Sequence, residues 1–122
     1  MRLLLVDDDD DVRFVTAQLL ELDGWSVTAA ATGTEALDLL AAGAFDVAVV
    51  DHNLPDLTGL EVARMLRGRG DTTPVLLWTG FAMALESLDL TGLGVDLLEK
   101  ADVSGLRCAL ARAVAPEGPG EG

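Results

Sequence analysis

Basic residues are scarce in this chain: 8 lysines and arginines stand against 21 aspartates and glutamates, for a formal net charge of −13 at pH 7. Affinity for a phosphate backbone depends on clustered Lys and Arg, so direct nucleic-acid binding is excluded and a protein partner is expected. Long apolar runs are missing too. No stretch approaches the roughly 20 apolar residues of a membrane-spanning helix. The N-terminus enters a strand at once, without the charged start, apolar core and small-residue cleavage site of a signal peptide. The expected location is therefore cytoplasmic, with no membrane partner. The single cysteine, Cys108, rules out an internal disulfide and is expected to pack or face solvent on the last helix. What remains is 122 residues, half of them hydrophobic, enough for one domain with a sizeable core but not for a separate output module as well.

The apolar residues fall into short runs that end at polar groups. Leu3 to Val6 reads as a strand followed by five carboxylates, Asp7 to Asp11. Val12, Val15, Leu19 and Leu22 then recur at helical spacing, with Asp9 or Asp10 placed to accept hydrogen bonds from the first turn and Gly24 as the stop. Trp25 to Ala30 reads as a second strand, and Thr34 to Ala42 as an Ala- and Leu-rich helix halted by Gly43. Val47 to Val50 is a strand buried on both faces that stops at Asp51. In the loop after it, Asn53 and Pro55-Asp56 favour a turn, and Gly59 permits backbone angles that other residues avoid. Leu60 to Leu66 is helical and is broken by Gly68 to Asp71. Pro74 opens a fourth strand, Val75 to Trp78, ending at Thr79-Gly80. A helix is expected over 81–90, a fifth strand over Val95 to Glu99 running into Lys100, and a last helix over Val103 to Val114. Residues 115–122, rich in Pro, Gly and Glu, are expected to form a disordered tail beyond a domain of residues 1–114. Five alternations of strand and helix predict an α/β fold, a three-layer domain with a parallel sheet, right-handed crossovers and helices on both faces.

The strand exits share one edge of such a sheet, where ligands bind in open α/β folds. They carry Asp7 and Asp8, Asp51, Thr79 and Lys100. Three carboxylates brought together repel one another, and a proton or a divalent cation relieves them. Mg²⁺ suits carboxylates from two strands plus a loop carbonyl at Asn53, because it takes a few oxygen ligands at near-octahedral geometry and keeps several waters. With Lys100 as a fixed positive charge and Thr79 as a hydroxyl donor, a phosphoryl group on Asp51 would find compensation around all its oxygens.

Val6-Asp7-Asp8, the loop Asp51-His52-Asn53-Leu54-Pro55-Asp56-Leu57-Thr58-Gly59, Thr79-Gly80 and Lys100 together resemble the receiver domain of bacterial two-component response regulators, over Arg2 to about Val114. The resemblance implies a flavodoxin-like sheet in the order 2-1-3-4-5. It also implies that Asp51 accepts a phosphoryl group from a histidine kinase or phosphotransfer protein. Asp7, Asp8, Asp51 and the Asn53 carbonyl would hold Mg²⁺, and Thr79, Gly80 and Lys100 would contact the phosphate. Asp51 and Lys100 would carry the chemistry of self-phosphorylation and self-dephosphorylation, with no conventional enzyme activity. Movement of Thr79 would reshape a face built from the 81–90 helix, the last strand and the last helix, for a downstream protein target. Two residues depart from the family pattern. Ala101 stands where a proline in a cis bond usually follows the lysine, and a non-proline cis bond costs roughly 3 kcal/mol, so a trans bond is expected. Leu97 stands where the fifth strand usually has a switching aromatic residue.

Blander readings apply to several residues. Asp9, Asp10 and Asp11 fit a solvated charge run at a helix N-terminus, His52 an exposed loop position, and Trp78 core packing. Leu90 and Leu93 hint at a contact surface. Two other functions compete. Asp8-Asp9-Asp10-Asp11-Val12 resembles the nucleophile signature of haloacid dehalogenase-type phosphatases, although no acidic pair follows Lys100 to complete that site. The fold could also serve as a binding module that no longer needs phosphorylation.

Overall fold

The computed structural model describes residues 1–43, 45–80, 95–99 and 103–113. Five strands, β1 (Arg2–Val6), β2 (Ser26–Ala30), β3 (Val47–Val50), β4 (Val75–Thr79) and β5 (Val95–Glu99), form one sheet in the order β2-β1-β3-β4-β5, with every neighbouring pair parallel. Between and after them lie α1 (Asp10–Leu22), α2 (Gly33–Ala42), α3 (Gly59–Gly68) and a final helix, α4 (Val103–Ala113). The expected helix at 81–90, the contact surface at Leu90 and Leu93, Lys100, Ala101 and the tail at 115–122 lie outside the described residues.

Strand residues alternate between two faces, so each face of the sheet builds its own core. Leu4, Val6, Ala48, Val50, Val75 and Leu77 point to one side, where α2 supplies Leu37 and Leu40 and α3 supplies Val62 and Leu66. Leu3, Leu5, Val47, Val49, Leu76 and Trp78 point to the other, against Leu20 of α1 and Leu106 and Leu110 of α4. This two-sided burial explains why β1, β3 and β4 are almost wholly apolar. Trp78 packs as expected, and its indole N–H donates to the Glu99 carbonyl at 2.9 Å. Cys108 is exposed on α4.

The helix ends follow local chemistry. Asp9 caps α1, its side chain accepting from the amides of Asp11 and Val12 at 3.0 and 3.1 Å. Gly24, at φ +98°, closes that helix, with the Trp25 amide still donating to Leu20; β2 therefore starts at Ser26, one residue later than the hydropathy suggests. Thr32 caps α2, which starts one residue earlier than expected, at Gly33. No helix among the described residues is long and apolar enough to cross a membrane.

Candidate functional site

β1 and β3 are neighbours with Val6 level with Val50, so the residues that follow them, Asp7 and Asp51, leave the sheet side by side. Both extend the hydrogen-bond ladder by one step: Asp51 N–H donates to the Val6 carbonyl at 2.9 Å and Asp7 N–H to the Ala30 carbonyl at 3.1 Å. Carboxylate oxygens of Asp7, Asp8 and Asp51 all lie within 4.8 Å of one another. Asp7 and Asp51 are buried, at 1% and 6% exposure, while Asp8 is open to solvent. The Asp7 carboxylate also accepts from the Asp9 amide (2.9 Å) and that of Asp51 from the Asn53 amide (3.2 Å). Arg13 secures the corner from outside, donating to the Asp7 carbonyl at 2.6 Å and pairing with Asp10. Asp10, which a dehalogenase-type site would need in the pocket, is thus engaged on the first turn of α1. A donor set made only of oxygens, drawn from two strand exits, fits a hard divalent cation such as Mg²⁺ and not a metal that prefers nitrogen or sulfur.

Thr79 closes β4, on the strand next to β3, and is 1% exposed. The register pairs Val50 with Leu77, so Thr79 reaches one residue further along the exit edge than Asp51, on a strand about 4.8 Å away. Gly80 is exposed, and a Cβ there would meet nothing within 4 Å among the described residues. Leu97 of β5 is level with Leu77 and packs, half buried, on the α2 and α3 side of the core.

The loop from Asp51 to Gly59 folds back on itself. Gly59 N–H donates to the His52 carbonyl at 2.8 Å, and Asn53 forms an isolated antiparallel bridge with Thr58. Thr58 caps α3 in a reciprocal arrangement with Glu61: the Glu61 amide donates to the threonine hydroxyl and the Thr58 amide to the glutamate carboxylate. Gly59 serves a different purpose from the turn expected of it. It is the first residue of α3, and among the described glycines only Gly24 and Gly70 have positive φ. What it lacks is room: a Cβ would stand 2.7 Å from Leu77 Cδ2, 2.9 Å from the Asp51 carbonyl oxygen and 3.0 Å from His52 Cα. Two of those neighbours are backbone and cannot swing aside. Gly59→Ala is expected to cost about 1–3 kcal/mol by overpacking, read from urea unfolding, and an unchanged midpoint would contradict so close an approach.

Asp56, at the tip of this loop, engages α2. Its carboxylate accepts from the Gly33 amide at 2.8 Å, the Thr34 amide at 2.9 Å and the Thr34 hydroxyl. Those bonds, the hydroxyl first, hold the Asp56 carboxyl well below the ordinary carboxylate range. The stability it contributes is therefore complete above the unfolded-chain pKa and disappears only as pH falls through the lower folded value. Leu57 lies against Gly33, where a Cβ would be 2.8 Å from Leu57 Cβ. No local sequence signal marks this contact, because its partners are 22 and 23 positions apart. His52 also differs from expectation. It is half buried, and its Nδ1 is out of solvent without a hydrogen-bond partner among the described residues.

Residues 3–102 match the family model described as response regulator receiver domain. The chain is 38% identical to the response regulator MprA of Mycolicibacterium vanbaalenii, over 99% of its own length and 55% of the relative's. It spans between a third and somewhat over half of the length of the curated relatives it matches. Its structure resembles that of the non-phosphorylated HemR receiver domain from Leptospira biflexa, with a TM-score of 0.79 at 32% identity over 97% of each chain. A likeness of fold alone extends to the response regulator TrrA from Thermotoga maritima in complex with Mg²⁺ and BeF, with a TM-score of 0.83 at 24% identity, covering 92% of this chain and 97% of that one.

Proposed function

The chain belongs to the response regulator receiver domain family, and from that premise we propose that it is a phosphorylation-dependent switch whose phosphoacceptor is Asp51. The observation that carries the reading is the meeting of the Asp7, Asp8 and Asp51 carboxylates within 4.8 Å at the exits of β1 and β3. Asp7, Asp8, Asp51 and the Asn53 carbonyl would hold Mg²⁺, which supplies positive charge for the oxygens of the transferring phosphoryl group.

The protein's own groups divide the remaining work. An Asp51 carboxylate oxygen attacks phosphorus, forming the acyl phosphate O–P bond as the bond from phosphorus to the donor breaks. A histidine kinase or phosphotransfer protein supplies that donor as a phosphohistidine. Burial of Asp51 keeps bulk water from the acyl phosphate, so the modification outlasts the encounter. Thr79 donates its hydroxyl to a phosphoryl oxygen, Gly80 leaves the approach beside it open, and Lys100, the chain's only lysine, supplies the second fixed positive charge. Attack by water on phosphorus later returns Asp51 and releases phosphate. The changed face then meets a downstream protein target in the cytoplasm.

One observation favours a second reading. Leu97, standing where the family usually has a switching aromatic residue, is level with Leu77 and packs into the core, which suits a receiver-fold binding module that acts without phosphorylation. Incubation with acetyl phosphate and Mg²⁺, followed by intact mass, separates the two: one added phosphoryl group supports the switch, and none supports the module.

A further inference from the structure

We propose that Asp56 is a positioning residue for the metal side of the site: by clasping the start of α2, it holds the loop that presents the Asn53 carbonyl. This deepens the switch reading and rests on it.

The clasp is more than a helix cap, because α2 already has one. Thr32 accepts from the Glu35 amide at 3.1 Å, and the Glu35 carboxylate accepts from the Ala31 amide at 3.0 Å. That leaves the amides of Gly33 and Thr34, and it is these that Asp56 takes from another loop. A carboxylate bridging two consecutive amides and a hydroxyl is fixed in orientation as well as position. Leu57 reinforces the seat, since only a glycine at position 33 lets it approach so closely.

The consequence for the site follows from chain geometry. Asn53 is held on one side by the hydrogen bond its backbone N–H donates to the Asp51 carboxylate and by its bridge to Thr58. On the other side only Leu54 and Pro55 separate it from Asp56, and Pro55 has a fixed φ. The turn is therefore anchored at its base by the Gly59 to His52 bond and at its tip by Asp56, with Asn53 between the anchors. Releasing the tip frees the segment from 54 to 57, and the orientation of the Asn53 carbonyl is what that freedom alters. Asp56 itself is solvent-exposed and belongs to no core, so removing it loosens the loop without opening the sheet.

The test is Mg²⁺ affinity by titration calorimetry on the full chain, for wild type, Asp56→Ala, Thr34→Val and Thr34→Ser. Urea unfolding in metal-free buffer and the Asn53 amide NMR shift are recorded alongside. Asp56→Ala is expected to weaken Mg²⁺ binding about tenfold, the low end for outer-shell partners, and to shift the Asn53 resonance. Thr34→Val is expected to weaken it about threefold by removing one hydrogen bond to the carboxylate, and Thr34→Ser, which keeps the hydroxyl, to restore it. Wild-type affinity in both Asp56→Ala and Thr34→Val, whatever their urea midpoints, would overturn the positioning role alone. A wild-type chain that binds no Mg²⁺ would overturn the reading of the site beneath it.

Discussion

Asparagine in place of Asp51 is expected to abolish phosphoryl uptake from acetyl phosphate while making the metal-free protein more stable. Both halves come from the same geometry. The amide has no anionic oxygen to attack phosphorus, so the loss is complete. Its near-identical shape keeps the packing of a buried side chain. Meanwhile two carboxylates no more than 4.8 Å apart repel by about 1 kcal/mol in water and about 3 kcal/mol at an effective dielectric constant near 20. Removing one charge relieves two such pairs. Saturating Mg²⁺ should then stabilise wild type strongly and the variant weakly, so the two thermal unfolding curves cross as Mg²⁺ is added. An Asp51→Asn protein that still gains a phosphoryl mass, or is less stable than wild type in metal-free buffer, would contradict this account of the pocket.

Asp7→Asn and Asp8→Asn should each raise the Mg²⁺ concentration for half-maximal labelling by roughly tenfold or more, since loss of a direct ligand exceeds the usual 10- to 100-fold cost of disturbing its outer shell. The two are not equivalent. Asp8 is exposed and no hydrogen bond ties it to the neighbouring turn among those described, so Asp8→Asn tests the ligand role with little else disturbed. Asp7 is buried and its carboxylate also accepts from the Asp9 amide, so Asp7→Asn should lower the urea midpoint as well, through a weakened turn into α1. Unchanged metal dependence in both variants would remove the pair from the site.

The exits of the strands were legible because apolar runs stop abruptly at Asp7, Asp51 and Thr79, and burial on both sheet faces leaves no other reason for that pattern. The two-sided placement of helices followed from the alternation of elements. The order β2-β1-β3-β4-β5 did not, since right-handed crossovers permit several orders of parallel strands; it came with the family resemblance. The boundaries at Trp25 and Gly33 differ by one residue from the hydropathy pattern because caps decide them. Gly59 reads as a turn glycine because local sequence encodes backbone freedom, whereas its requirement for space is set by how the folded loop brings the Asp51 and His52 backbone, and Leu77 from another strand, against it. The Asp56 clasp on Gly33 and Thr34 is invisible for the same reason, being a contact between a loop and the start of a helix 22 and 23 positions away.

Asp51, and no other carboxylate at this edge, is expected to become the acyl phosphate. Borohydride reduces an acyl phosphate to an alcohol, leaving homoserine where the modified aspartate stood, and peptide mass analysis locates it. After incubation with acetyl phosphate, homoserine is predicted at position 51 when Mg²⁺ is present and nowhere when it is withheld. Homoserine at Asp8, as a dehalogenase-type nucleophile would give, or none at all, would contradict the account.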